Sequence, residues 1–211
     1  MIVAKRMKHH PATVDEGDSM KKAMDLLKKH EIRHLPVLRD GKLVGILSER
    51  DIKQASPSQA TVLEIREIYY LLAKIKVKQI MTRRPYTISS TATIDEAALI
   101  LREKKIGCLP VVDDGKLVGI LTETDIIDAF IESMGVGGPG YRVELALPNK
   151  PGMLFEVLKL LKDFNANVVS VATAPRDESG KIVTILRIET RNYKMLKAAI
   201  KKSGFELISA D

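Results

Sequence analysis

Apolar and polar positions follow one pattern that occurs twice along this chain. Residues 43–47 and 117–121 are both Leu-Val-Gly-Ile-Leu, a run short and apolar enough for a buried strand. Each run follows an Asp-Gly pair, which favours a two-residue hairpin turn, and precedes Ser48 or Thr122, which can cap a helix. The pattern therefore predicts a turn, a strand and a helix start in both places.

The two patterns belong to a longer repeat. An offset of 74 residues aligns residues 7–52 with 81–126 without a gap, and 20 of the 46 aligned positions are identical. Each copy has an extended proline-containing entry, a helix capped by Ser19 or Thr93, a strand, the Asp-Gly hairpin with a second strand, and a closing helix. The sequence thus predicts two β-α-β-β-α units related by an approximate twofold axis.

A different order of elements follows a glycine-rich segment. The last part of the chain predicts the order β-α-β-β-α-β, which is the ferredoxin-like split unit. The predicted fold class is therefore α/β (α+β). The expected boundaries are 1–56 for the first repeat, 57–76 for an amphipathic linker helix, 77–134 for the second repeat, 135–140 for a hinge and 141–211 for the final domain.

Composition argues against several classes of protein. The net charge of +7 is dispersed, aromatic residues make up 4% of the chain and tryptophan is absent, so we expect no nucleic-acid binding. No apolar window is long enough to cross a membrane and the N-terminus lacks a signal-peptide core, so we expect a cytoplasmic protein without membrane contact. The single cysteine, Cys108, excludes an internal disulfide and is expected in the core.

Chemistry-bearing motifs are also lacking in the sequence. It contains no nucleophile elbow, P-loop or Gly-x-Gly-x-x-Gly motif, so we expect no catalytic residues and no enzyme activity. All four histidines fall in the first repeat, but only His30 and His34 have helical spacing, and His34 is expected at a strand entry. We therefore expect no metal site.

The repeats resemble the CBS domain, whose pairs form the nucleotide-sensing Bateman module. Two motifs carry the resemblance. One is the His-Leu-Pro-Val or Cys-Leu-Pro-Val strand, and the other is the motif Gly-x-x-x-Gly-Ile-Leu-(Ser/Thr)-x-x-Asp near the end of each repeat. The Asn-Lys-Pro-Gly-Met-Leu junction of the final domain resembles the ACT domain, a small-molecule effector module. The whole order is similar to that of the bacterial acetoin-utilisation accessory proteins.

Asp51 and Asp125 are the leading candidate site residues, and each has two interpretations. Each lies three residues after a capping hydroxyl, so a capping box that needs no ligand explains both, and the pattern alone favours this explanation. A carboxylate at this position can also accept both ribose hydroxyls of a nucleotide while Ser48 or Thr122 and the free amides of the helix start bind phosphate. The CBS resemblance favours the second interpretation.

The remaining candidates for nucleotide contact follow from the resemblance. Basic residues are expected to meet phosphate, and residues of the proline-containing entries are expected to line the adenine slot. Each also has a purely structural explanation, as a solvated cation or a core strand residue. The candidates are Arg33, His34, Arg50, Arg83 and Arg84 for phosphate, Thr13, Val14, Thr87 and Ile88 for adenine, and His10 and Thr124 for nucleotide contact without an assigned part.

The loop between the first strand and helix of the final domain is a candidate amino-acid site. Asn149, Pro151, Gly152 and Met153 occupy the place where ACT modules often bind an amino acid between two subunits. Gly152 would let the backbone approach a ligand, although a Pro-Gly helix start also explains the sequence.

The resemblance implies a non-catalytic sensor. The CBS pair is expected to bind AMP, ADP, ATP or S-adenosylmethionine as a regulatory ligand, and to signal through the ACT domain to an unidentified metabolic enzyme. We expect at least a homodimer, no required cofactor, and two sites of unequal phosphate affinity because the copies differ in charge. The alternative is a structural adaptor of a carbon-metabolism enzyme with vestigial nucleotide sites.

Overall fold

The fold was analysed in a computed structural model that describes residues 1–56, 70, 72–176 and 180–210. The chain forms two compact units, Met1–Ile127 and Asp128–Asp211. Both mix helices and strands, which confirms the predicted fold class. The linker helix expected over 57–76 falls largely on residues 57–69 and 71, which lie outside the described part of the chain.

The elements of the first unit follow the predicted order in both copies. The first copy opens with a short 3-10 turn, Val3–Lys5, and the second opens with a four-residue helix at the equivalent place. The first copy contains β1 (Lys8–His9), β2 (Val14–Asp15), α1 (Met20–His30), β3 (His34–Arg39), β4 (Lys42–Ser48) and α2 (Glu49–Ala55). The second contains α3 (Val77–Ile80), β5 (Thr82–Arg83), α4 (Ile94–Lys104), β6 (Cys108–Asp113), β7 (Lys116–Thr122) and α5 (Glu123–Ser133).

Local chemistry explains the turns and helix starts. Asp40 and Gly41 have φ values of 50° and 76°, and the equivalent residues of the second copy have 49° and 75°, so both hairpins use the left-handed turn that Asp-Gly favours. The Ser19 hydroxyl accepts the Lys22 amide at 3.2 Å, and Thr93 caps α4 in the same way. The predicted turns and these two caps are confirmed.

The two copies exchange their entry strands, a feature that the sequence did not predict. β1 pairs with β7 of the second copy, Lys8 opposite Ile120, and β5 pairs with β4 of the first copy, Thr82 opposite Ile46. The offset of 74 residues converts one pairing into the other, since it takes Lys8 to Thr82 and Ile46 to Ile120. Each sheet therefore contains a strand from the other copy, with approximate twofold symmetry.

The hydrophobic cores are exchanged in the same way. Val77 and Met81 pack into the core of the first copy, whereas Val3 and Met7 pack into the core of the second. Val3 and Val77 are both fully buried, and the Val3 amide donates to the Ala92 carbonyl. Because each core is completed by a segment that precedes the other copy, neither copy is a complete folding unit by itself.

The second unit has the predicted ferredoxin-like order. It contains β8 (Tyr141–Pro148), α6 (Met153–Asp163), β9 (Asn167–Arg176), β10 (Lys181–Glu189), α7 (Tyr193–Lys202) and β11 (Glu206–Ala210). The antiparallel sheet has the order β11-β8-β10-β9 and packs against both helices around Leu145, Leu186 and Leu196. Among the described helices of the chain, none is long and apolar enough to cross a bilayer.

Two glycines make the strand exchange sterically feasible. A Cβ on Gly45 would lie 2.6 Å from the Met81 sulfur and 3.0 Å from the Thr82 carbonyl oxygen. A Cβ on Gly119 would lie 2.5 Å from the Met7 sulfur and 3.1 Å from the Lys8 carbonyl oxygen. We therefore expect Gly45→Ala and Gly119→Ala each to lower the free energy of unfolding by about 1–3 kcal/mol, measured by urea denaturation, because the added methyl overpacks the crossing.

Gly17→Ala is the matched control for this prediction. Its Cβ would meet only the exposed Asp15 carboxylate, at 3.1 Å, which can move aside. We expect a change smaller than about 1 kcal/mol for it, in either direction. Equal stability losses at all three glycines would mean that the crossing imposes no special demand on Gly45 and Gly119.

Candidate functional site

A cleft of about 840 Å³ lies in the first unit where elements of both copies meet. The first copy contributes the entry to β3, the end of β4 and the start of α2, and the second contributes β5 with the residues after it and the loop between α4 and β6. This volume is typical of sites that hold a small organic ligand. The lining residues are Arg33, His34, Ile46, Ser48, Glu49, Arg50, Asp51, Lys53, Thr82, Arg83, Arg84, Pro85, Tyr86, Lys105, Ile106, Gly107, Cys108 and Glu123.

Asp51 closes a capping box at the start of α2. Its Oδ2 accepts both the Ser48 amide and the Ser48 hydroxyl, each at 2.7 Å, and the Asp51 amide donates to the Ser48 Oγ at 3.2 Å. Among the described residues, no hydrogen bond to Oδ1 is formed. The capping and ligand-binding interpretations are therefore compatible, because the cap uses one carboxylate oxygen and leaves the other to the cleft.

Most of the amides that the sequence offered to phosphate at the helix start already have acceptors. The amides of Ser48 and Asp51 are engaged in the capping box, and the Glu49 amide donates to the Arg33 carbonyl at 2.9 Å. The Ser48 hydroxyl hydrogen points to Asp51, so this group has no donor left for phosphate. Thr122, Glu123 and Asp125 repeat these bonds at the start of α5. In both copies, contacts to an anion must therefore come mainly from side chains.

Positive side chains dominate the cleft. Six Lys and Arg residues line it, against three carboxylates. Lys53 pairs with Glu49 at 2.8 Å, and among the described residues the other five form no ion pair. The Lys53 ammonium and the Arg33 charge also help to hold the pKa of Glu49 below its ordinary value. The cleft therefore offers a positive surface to an anionic ligand.

His34 is packed against the second copy. A Cβ at Gly107 would lie 3.2 Å from both Cε1 and Nε2 of His34, so the glycine makes room for the ring. Burial lowers the pKa of His34 below its ordinary 6.5 and the Arg33 charge adds to this effect, while Glu123 and Asp51 oppose it. The imidazole is therefore neutral at pH 7 and donates at most one hydrogen bond.

Cys108 forms part of the cleft wall but is not a reactive thiol. It is buried, as the sequence predicted, and burial together with the nearby Glu123 raises its pKa to about 12. A thiol that stays protonated at neutral pH is a poor nucleophile. Cys108 nevertheless lines a basic cleft, because the strand exchange brings Arg83 and Arg84 to the same place.

The structure brings together seven of the predicted nucleotide-binding residues. Ser48, Asp51, Arg50, Arg33, His34, Arg83 and Arg84 all line this cleft. The other predicted residues lie elsewhere in the first unit: Val14 is in β2 beside Val37, Ile88 forms a bridge with Val111, and Thr13 and Thr87 directly precede them. His10, Thr122, Thr124 and Asp125 occupy positions equivalent to Arg84, Ser48, Arg50 and Asp51 in the opposite copy.

Several lining residues were missed from the sequence. Tyr86, Lys105 and Glu123 belong to the second copy, yet they face a cleft built on the helix start of the first. The basic pair Arg83–Arg84 indicated a site for an anion, but the repeat alignment does not show which copy this pair lies against. Only the exchanged pairing of β5 with β4 settles this point.

The loop of the second unit keeps its predicted helix start. Gly152 is the N-terminal cap of α6 with a φ of 86°, and a Cβ there would meet nothing within 4 Å. Asn149 and Pro151 are exposed, and Met153 begins the helix. Their role toward a ligand stays a prediction. Across the described residues, no cluster of His, Cys, Asp and Glu is suited to a metal ion.

Comparison with protein families and curated relatives agrees with this architecture. The CBS domain family matches residues 3–58 and 77–132, and the ACT domain family matches residues 141–203. An uncharacterized protein of Methanocaldococcus jannaschii is 35% identical over 155 residues, which cover 62% of this chain and 92% of that protein.

Comparison with solved structures also finds proteins that contain CBS domains. A putative acetoin utilization protein, AcuB, of Vibrio cholerae has a TM-score of 0.52 and 30% identity, over 62% of this chain and 90% of that one. The CBSX2 protein of Arabidopsis thaliana in complex with AMP has a TM-score of 0.51 and 31% identity, over 62% and 96% of the two chains. A CBS domain pair solved with 5'-methylthioadenosine and S-adenosyl-L-methionine has a TM-score of 0.52 and 32% identity, over 62% and 95%.

The exchanged β-α-β-β-α copies, their capped helix starts and these matches lead to one conclusion. The chain belongs to the CBS domain family, and carries a tandem CBS pair followed by an ACT domain.

Proposed function

We propose that this chain is a non-catalytic regulatory protein whose CBS pair binds an adenine nucleotide or a related adenosyl ligand. The observation that carries the proposal is the cleft that Asp51 of the first copy lines together with Arg83 and Arg84 of the second. Solved CBS pairs that resemble the first unit hold AMP or S-adenosyl-L-methionine. AMP, ADP, ATP and S-adenosylmethionine are therefore the ligands to test.

The chemistry of the cleft matches the parts of a nucleotide. The Oδ1 of Asp51 is placed to accept ribose hydroxyls, since the capping box uses only Oδ2. Arg33, Arg50 and the Arg83–Arg84 pair offer guanidinium groups, which bind phosphate through two parallel hydrogen bonds. Tyr86 and Ile46 supply aromatic and apolar surface for a base.

A bound ligand would regulate by bridging the two copies. Since the cleft includes residues from both, a ligand that binds one relative arrangement of the copies better than another shifts their population. Glu123 lines the cleft and is the first residue of α5, which continues to Ser133 and the glycine-rich segment. We propose that this helix carries the change toward the ACT domain and a metabolic partner enzyme.

The ACT domain is proposed to support assembly and a second effector. β9 and β11 are the edges of its sheet, and an edge strand can pair with the same strand of a second copy. We infer that the protein is at least a homodimer, and that the loop around Gly152 takes an amino acid. The competing function is a structural adaptor of a carbon-metabolism enzyme, which would bind none of the four adenosyl compounds.

Asp51→Ala is expected to abolish stabilisation by the ligand. At a ligand concentration about 100 times the Kd, the wild-type chain should gain about 2.7 kcal/mol, measured as a rise in Tm by thermal shift with each compound in turn. The variant loses the ribose acceptor and should show little of this rise. It should also lose about 1 kcal/mol of intrinsic stability with the cap.

Glu96→Ala is the matched control for Asp51→Ala. Glu96 closes the same kind of capping box on α4, where it accepts the Thr93 amide at 2.8 Å, and it does not line the cleft. It should lower the unliganded Tm by a similar amount and leave the ligand-induced rise intact. A full ligand response in Asp51→Ala would contradict the assignment, and no response of the wild type to any compound would favour the adaptor.

The depressed pKa of His34 predicts a pH-dependent stability. In the unfolded chain His34 binds a proton near pH 6.5, whereas in the folded chain it does so only at lower pH. The free energy of unfolding is therefore unaffected by His34 well above that pH and decreases as the pH falls below it. His34→Gln should therefore lose less Tm than the wild type between about pH 7.5 and about pH 5.5. His30→Gln, at an exposed helix end, is the control. Parallel Tm curves for wild type and His34→Gln would show that His34 is not kept neutral by the fold.

A further inference from the structure

The repeat gives the described cleft a set of counterpart positions that differ sharply in charge from its own lining. The offset of 74 residues gives every lining position of the described cleft a counterpart in the opposite copy. Its six cations, Arg33, Arg50, Lys53, Arg83, Arg84 and Lys105, correspond to Gly107, Thr124, Ile127, His9, His10 and Glu31. The three carboxylates Glu49, Asp51 and Glu123 correspond to Glu123, Asp125 and Glu49, so the acidic part is preserved while none of the six cation positions keeps a Lys or Arg. Lys8 and Arg33 stand in place of Thr82 and Gly107, so the counterpart positions together carry two cations against four carboxylates.

The cations of the described cleft come from four separate segments. Arg33 lies at the entry to β3, Arg50 in the first turn of α2, Arg83 and Arg84 at β5, and Lys105 at the C-terminal cap of α4. A single phosphate presents three acceptor oxygens, and each guanidinium fork can occupy two of them. One phosphate therefore cannot satisfy all of these groups, whereas a chain of phosphates can meet several.

The net charge of the cleft also favours a ligand with several phosphates. Once the Lys53–Glu49 pair is set aside, five cations face two carboxylates, and His34 adds no charge at neutral pH. Each added phosphate of a nucleotide brings further negative charge to a surface that carries an excess of positive charge. The counterpart positions carry only two cations, Lys8 and Arg33, against four carboxylates, so their net negative charge would repel the same phosphate chain.

We propose that the cleft built on Asp51, Arg50 and Arg83 selects a nucleoside carrying two or more phosphates, and that its counterpart at Asp125 does not bind this ligand class. The proposal rests on the proposed function, whose ligand class it narrows. It predicts one polyphosphate site per chain, formed by both copies together.

Calorimetric titration of the full chain with adenosine, AMP, ADP and ATP, without divalent cations, tests the selection. Affinity should rise along that series, with ATP at least about tenfold tighter than AMP, because each further phosphate gains charge-assisted hydrogen bonds. The stoichiometry for ATP should be one per chain. The preference for ATP should shrink when the ionic strength is raised from about 0.05 M to about 0.5 M, since salt screens exposed charges.

The double variant Arg50→Thr with Arg83→Gln tests the residues themselves. Both side chains are exposed, so the fold should tolerate the change, and the preference for ATP over AMP should fall by about threefold to thirtyfold. Lys42→Gln with Lys116→Gln removes the same charge from the two exposed hairpins, outside the cleft, and should leave the preference unchanged.

The outcomes separate this inference from the function on which it rests. If adenosine or AMP binds as tightly as ATP, or if two equivalent ATP molecules bind per chain, the selection is wrong while nucleotide binding stands. If no compound of the series binds, and S-adenosylmethionine does not bind either, the nucleotide-sensor function itself fails. If both double variants lose the preference equally, net charge rather than the cleft accounts for it.

Discussion

The exchange of entry segments between the two CBS copies is the constraint on which the first unit depends. Val3 and Val77, which precede the two copies, are each fully buried in the core of the opposite copy. β1 and β5 then extend the opposite sheets at Gly119 and Gly45, where a Cβ would collide with the sulfur of Met7 or Met81 and crowd a backbone carbonyl. Because the exchange completes both cores and both sheets, the pair folds as one body, and a ligand held by residues of both copies acts on their mutual arrangement.

The same exchange determines where charge accumulates. β5 carries Arg83 to the strand that leads into the capped helix start of the first copy, whereas β1 carries Lys8 and His9 to the strand that leads into the capped helix start of the second. Both helix starts keep the same capping geometry, since Asp51 and Asp125 accept from Ser48 and Thr122 at 2.7 Å. A duplicated scaffold therefore presents two chemically different surfaces, and the difference resides in side chains rather than in backbone.

Most of the fold could be predicted from the sequence because its signals are local. The Asp-Gly turns, the caps at Ser19 and Thr93 and the apolar runs each depend on a few neighbouring residues, and all appear as expected. The strand exchange could not be predicted, because a pairing between residues 36 positions apart, as for Ile46 and Thr82, or 112 positions apart, as for Lys8 and Ile120, has no local signature, and a self-alignment shows only that the copies are alike. For the same reason the sequence did not show that His34 packs over Gly107, or that Tyr86 faces the helix start of the other copy.

The dual nature of Asp51 shows why a motif alone could not settle its role. The capping box and a ribose contact demand the same residue at the same place, and only the atomic arrangement shows that the cap uses one carboxylate oxygen, Oδ2, of a residue that lines the cleft. The most direct test of the whole account is a crystal structure of the full chain grown with ATP. The account predicts one nucleotide per chain, its ribose on Asp51 and its phosphates between Arg50 of the first copy and Arg83 of the second. A nucleotide whose phosphates contact residues of one copy only, or that lies outside this cleft, would contradict it.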